Sequence, residues 1–64
     1  MGKAVCYVVV LIVDNKKFYL ESEGEFCDNL IYASKWLDRW MAEVAAKDYE
    51  GARVETIKTG EVLK

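Results

Sequence analysis

The side chains able to do chemistry are few. There is no histidine in the 64 residues, so no imidazole base and no Ser-His or Cys-His pair can form. The cysteines, Cys6 and Cys27, do not make a disulfide framework. A hairpin would bring Cys6 near the residues just before Cys27, so one bridge is geometrically open; a cytosolic chain keeps such thiols reduced. Zinc needs four ligands, and two subunits would have to pool their thiols to supply them. Glu21 and Glu23 lie two apart, on one face of a strand, and could pair. Two carboxylates without a pocket are not a site, and a domain this small rarely encloses a catalytic cavity. The glycines are isolated, so no phosphate loop exists. The expectation is a non-enzymatic protein with no catalytic residue, no cofactor and no metal.

Recognition chemistry is better represented. Tyr32, Trp36, Arg39 and Glu43 recur at i, i+4, i+7 and i+11, which keeps them together on one side of a helix. Tyr, Trp and Arg are the residues most enriched at binding hot spots. The plainer reading is that Trp36 tucks onto a sheet margin and Tyr32 covers a helix start. The segment "ESEGEFCD" carries Glu21, Glu23, Glu25 and Asp28 without a base among them. It is either a solvated loop and an acidic helix start or an acidic lip that steers the chain onto a basic surface. The run "AVCYVVVLIV", Ala4 to Val13, is apolar throughout. It is too short to cross a bilayer, which takes roughly 18 residues or more. No small-residue cleavage site follows it, so a signal peptide is disfavoured.

These residues need elements to hold them. Lys3 to Val13 reads as a first strand, rich in Val, Ile and Tyr. Asp14-Asn15-Lys16-Lys17 is a turn cluster, although the glycine that would fix a two-residue turn is missing. "KKFYLES" alternates and pairs with the first strand as a hairpin. Gly24 ends that strand and Asp28 is a candidate N-cap. From Asn29 to Asp48 there is no Gly or Pro, and Leu30, Ala33, Leu37, Trp40, Met41 and Val44 recur at helical spacing. This predicts one long helix whose buried face centres on Leu37 and Val44, closed by Gly51. "ARVETIKT" reads as a third strand, and Val62-Leu63 could add a short fourth. The order is β-β-α-β in a single domain spanning 1–64. The fold class is α+β, a two-layer sandwich of three or four antiparallel strands with one helix across one face.

That architecture raises the question of the second sheet face. In a two-residue hairpin, Val5, Tyr7, Val9, Leu11 and Val13 share a face with Phe18 and Leu20, and this richer face is assigned to the helix. Cys6, Val8, Val10 and Ile12 then line the opposite face with Tyr19. One helix cannot cover both. Either the stems of Lys17, Arg53 or Lys58 roof the stripe, or a second protein surface does. Sheet-on-sheet self-association through Cys6, Val8, Val10, Ile12 and Tyr19 is the simplest such cover.

The net charge of −2 disfavours nucleic-acid binding, which needs clustered Lys and Arg. Tyr19 beside Glu21 is weak support for an RNA-binding sheet. The functional expectation is a small cytoplasmic protein-binding module, a homodimer or higher oligomer, that inhibits or modulates an unidentified protein by occupying a surface, with a basic surface as one option and no membrane partner. Compositional analogy places it among phage and mobile-element accessory proteins. Two alternatives stand beside it. One is a small-molecule sensor with ligand between subunits, where Tyr7, Tyr19 and Cys6 are the polar candidates. The other is a structural subunit of a larger assembly.

Overall fold

A computed structural model describes residues 5–58 of the chain. Within them lies an α+β fold, a four-stranded antiparallel sheet with one α-helix. Strands β1 (Val5–Val13), β2 (Lys16–Ser22), β3 (Glu25–Cys27) and β4 (Arg53–Lys58) take the order β3-β2-β1-β4. The expected hairpin register holds, with Val13 opposite Lys16, Leu11 opposite Phe18 and Val10 opposite Tyr19. Asp14 and Asn15 both adopt positive φ, 53° and 66°. That is the primed turn a two-residue hairpin favours, built here without glycine.

The fourth strand among the described residues is β3; the Val62-Leu63 pair lies outside them. Gly24, at φ 76°, sits in the turn between β2 and β3. Leu20 faces Phe26 and Tyr19 faces Cys27, so the "ESEGEFCD" segment is a second hairpin rather than a loop.

The long helix expected over Asn29–Asp48 does not form. A 3₁₀ turn covers Leu30–Tyr32, and helix α1 is confined to Arg39–Ala46. Each has its own N-cap. Asn29 Oδ1 accepts from Ile31 N at 3.0 Å, and Asp38 Oδ1 accepts from Trp40 N at 2.9 Å. Asp28, the expected cap, lies exposed before the 3₁₀ turn. Lys35 closes that turn by donating from Nζ to the carbonyls of Ile31 and Ala33, at 3.1 and 2.7 Å.

Between the two caps the chain does something the helical pattern did not foretell. β1 and β2 are paired only from Val10/Tyr19 toward the turn. Beyond that point Ser34–Trp36 enters between them. Tyr7 N donates to Trp36 O at 2.8 Å and Trp36 N to Tyr7 O at 2.9 Å, while Ser34 N donates to Leu20 O at 2.9 Å. Ser34 Oγ also donates to the Glu21 carbonyl. The strap formed by residues 28–38 therefore starts on one face of the sheet and reaches the other.

This answers the question of the second face. Val8 and Val10 pack with Ala33, Leu30, Tyr19, Cys27 and Ile57. Val9 and Leu20 pack on the helix face with Ala46, Trp36, Phe26 and Tyr49. Val8, Val9 and Val10 are each 0% exposed, and Cys6 is buried with them. The even-numbered face of β1 is thus sealed by the chain's own strap. The proposed self-association surface of Cys6, Val8 and Val10 is corrected: it is core. Tyr19 is half-buried at its edge, and only Ile12, near the hairpin tip, stays exposed.

Candidate functional site

What is covered on β1 is uncovered on α1. The helix buries Ala42 and Ala46 against the sheet. Small residues four apart let its backbone approach β1 and β4 closely. Trp40, Met41 and Val44, on the other side of the helix, are 65%, 47% and 42% exposed. Leu37, placed by its spacing at the centre of the core, is 84% exposed just before the Asp38 cap. The apolar stripe of this helix faces outward. The four residues expose roughly 450–500 Å² of mostly apolar surface, near the size at which a contiguous patch on a small protein acquires a meaning.

Two clefts flank this ridge. On one side a cleft of about 250 Å³ opens between the β2–β3 turn and the C-terminal half of α1, with Glu23, Trp36, Asp48 and Tyr49 in its walls. Trp36 is fixed there by its backbone bridge to Tyr7. Tyr49 is fixed by an edge-on contact with Phe26, centroids 5.2 Å apart at 87°, and by Gly24 N, which donates to its hydroxyl oxygen at 2.8 Å. Among the described residues Glu23 and Asp48 have no ion-pair partner. On the other side a groove of about 420 Å³ between α1 and β4 is lined by Arg39, Lys47 and Arg53 with Glu43. Arg39 Nε pairs with Glu43 at 2.9 Å and Arg53 with Glu55 at 3.3 Å, whereas Lys47 has no ion-pair partner among the described residues. One flank of the ridge is acidic and aromatic, the other basic.

No protein-family model, curated protein or solved structure matches the chain. Its site is accordingly defined by geometry alone. Among the described residues no group of three or more His, Cys, Asp or Glu side chains could hold a metal ion, and no helix is long and apolar enough to cross a membrane. Both cysteines are free thiols; Cys6 is buried, and Cys27 Sγ donates to Asn29 O at 3.3 Å.

The expected stripe of Tyr32, Trp36, Arg39 and Glu43 is dispersed, because residues 33–38 are not helical. Tyr32 is exposed on the strap, Trp36 lines the acidic cleft, and Arg39 and Glu43 lie in the basic groove. The acidic set is divided as well. Glu23 enters the cleft beside Trp36, so the fold brings together two pairs of expected site residues, this one and Arg39 with Glu43. Glu21 contributes its backbone carbonyl to the strap, Glu25 accepts from Ser22 Oγ at 2.8 Å, and Asp28 is exposed. The residues not anticipated are Leu37, Trp40, Met41 and Val44 on the ridge, with Asp48 and Tyr49 in the cleft and Lys47 and Arg53 opposite. Their signal was present as an amphipathic pattern. The structure turns that stripe outward, since periodicity locates a stripe without saying which stripe faces the sheet.

Proposed function

We propose that this chain is a non-enzymatic protein-binding module whose docking surface is the outward side of α1. It fits a partner with an apolar centre and a basic edge set against the acidic cleft, and acts by occupying that surface. One observation carries the reading: the large apolar side chains of the helix point away from the core while its alanines fill it. In a domain whose largest fully buried side chains are Val8, Val9, Val10 and Cys6, burying Trp40 and Met41 would add more apolar contact than any core position supplies. The chemistry of that edge follows from Glu23 and Asp48, carboxylates without ion-pair partners among the described residues and beside two aromatic rings, which suit an incoming ammonium or guanidinium. A cytoplasmic location accords with two free thiols.

The test uses an amphipathic helical peptide of leucine and lysine, with a leucine–glutamate peptide as control, followed by NMR. The lysine peptide is expected to shift the Trp40 and Trp36 indole N–H signals and the Ala45–Tyr49 amides while leaving Tyr32 unmoved. Equal binding of the two peptides, or shifts confined to the strap, would overturn the reading.

A further inference from the structure

We propose that the partner is a second copy of this chain, packed through the ridge with the two helices parallel, so that the acidic cleft of each copy meets the basic groove of the other. The inference rests on the docking surface proposed above and names its occupant.

The first argument is area. Two ridges buried against each other remove roughly 900–1,000 Å² of mostly apolar surface, and the flanking clefts bring the total to about 1,200 Å² or more, the lower bound of specific, stable interfaces. A 64-residue chain with so small a core is the kind of domain that gains from this.

The second argument is charge, and it selects the orientation. Most small homo-oligomers are two-fold dimers in which a patch meets itself. If two helices meet face to face about a two-fold axis running along them, the left flank of one lies against the right flank of the other. If the axis is perpendicular to both helices, like flanks meet. Here the flanks differ in sign. The acidic cleft holds Glu23 and Asp48, and the basic groove holds Lys47, beside Arg39 and Arg53 that are paired with Glu43 and Glu55. Parallel packing sets Asp48 of each copy near Lys47 of the other, at the same level along the helix. Antiparallel packing sets carboxylate against carboxylate and ammonium against ammonium.

Sedimentation equilibrium of the full chain at 50 and 500 mM NaCl tests the proposal. The wild type is expected to dimerise in the micromolar range, with Kd rising about 3–10-fold at the higher salt as screening weakens the flanking pairs. Trp40→Glu should abolish the dimer. Lys47→Glu and Asp48→Lys should each weaken it about tenfold, and the exchanged double variant Lys47→Glu/Asp48→Lys should restore it. Circular dichroism shows whether each variant is folded. If Lys47→Glu disturbs the helix end, Lys47→Gln carries the test with a smaller loss.

A dimer that Trp40→Glu leaves intact uses another surface and overturns the proposal. A dimer tightened by salt and indifferent to the single charge reversals is antiparallel, and overturns it too. A monomer at millimolar concentration overturns it as well. In that case the leucine–lysine peptide separates the two readings: binding at Trp40 leaves the docking surface standing with a foreign occupant, and no binding removes both.

Discussion

Strand β1 and helix α1 use their apolar side chains in opposite ways. β1 hides valines on both faces, under α1 on one side and the strap on the other. α1 hides alanines and turns Trp40, Met41 and Val44 outward. The difference follows from what each element can be packed against. A central strand has two faces, and this chain spends residues 28–38 on the second one. A helix on a sheet has only one inward side, and the residues chosen for it decide how closely it sits. Ala42 and Ala46 bring it close but bury little, about one methyl group each at ~0.8 kcal/mol. The hold on α1 therefore comes in good part from the Tyr7–Trp36 bridge that ties its entrance to β1, and its large side chains are left for contact with something else.

The comparison breaks most decisively at β1. Val8→Asp and Val9→Asp point to opposite faces, yet both place an unpaired charge in sealed core. Each is expected to cost about 3–5 kcal/mol, enough to unfold much of a domain of this size, as circular dichroism and urea titration would show. If Val8→Asp were folded and Val9→Asp were not, the strap would not be sealing its face. Trp40→Asp should leave the isolated fold within about 1 kcal/mol of wild type, measured at low micromolar concentration so that the proposed dimer adds no apparent stability.

The inward side of α1 gives the next largest effect. Ala42 is fully buried against the sheet, so Ala42→Leu overpacks the contact and should cost about 1–3 kcal/mol. Val44→Leu, on the outward side, should be close to neutral. Urea midpoints decide the pair; equal losses would mean that the helix is rotated from the orientation described.

Caps come third. Asp38→Ala should cost about 0.5–2 kcal/mol by releasing the Trp40 amide, and Asn29→Ala a similar amount at the strap. Asp28→Ala should change stability by less than about 0.5 kcal/mol, since its side chain makes no cap. A large loss at Asp28 would restore the long helix expected from periodicity.

The hairpin was legible because its signals are local. The alternation of Phe18 and Leu20 with Lys17 and Tyr19 gave the faces once a two-residue turn was assumed, and Asp14-Asn15 supplies that turn. The α+β class, the antiparallel sheet and β4 were legible for the same reason. The strap was not. Leu30, Ala33 and Leu37 keep helical spacing straight through a region that is half 3₁₀ turn and half extended, and no Gly or Pro marks the break. The missed signal was a pair of caps, Asn29 and Asp38, nine positions apart inside one supposed helix. A second signal lay in β1. A strand apolar on both faces demands two covers, and Leu30 with Ala33 was the nearest apolar chain able to supply one. The clefts were less legible still, since Glu23 meets Asp48 and Tyr49 only through the placement of the β2–β3 turn against the end of α1.

An equally small effect is expected at Leu37, and it is the sharpest separator of the two regions. Periodicity makes this residue the centre of the buried helix face, where truncation to alanine would cost about 2–5 kcal/mol as a cavity opened. The structure leaves it 84% exposed one residue before the Asp38 cap. A leucine at that position can staple the helix start by packing on the fourth helical residue. Here that residue is Ala42, already turned into the sheet, so the staple is not made. Leu37→Ala should therefore change folding stability by no more than about 0.5 kcal/mol, while weakening self-association through loss of ridge contact. Urea titration at low micromolar concentration reads the first and sedimentation the second. A loss above about 2 kcal/mol in the dilute sample would return Leu37 to the core. An unchanged dimer would end the ridge short of Leu37, leaving Trp40, Met41 and Val44 as the whole of its apolar contact.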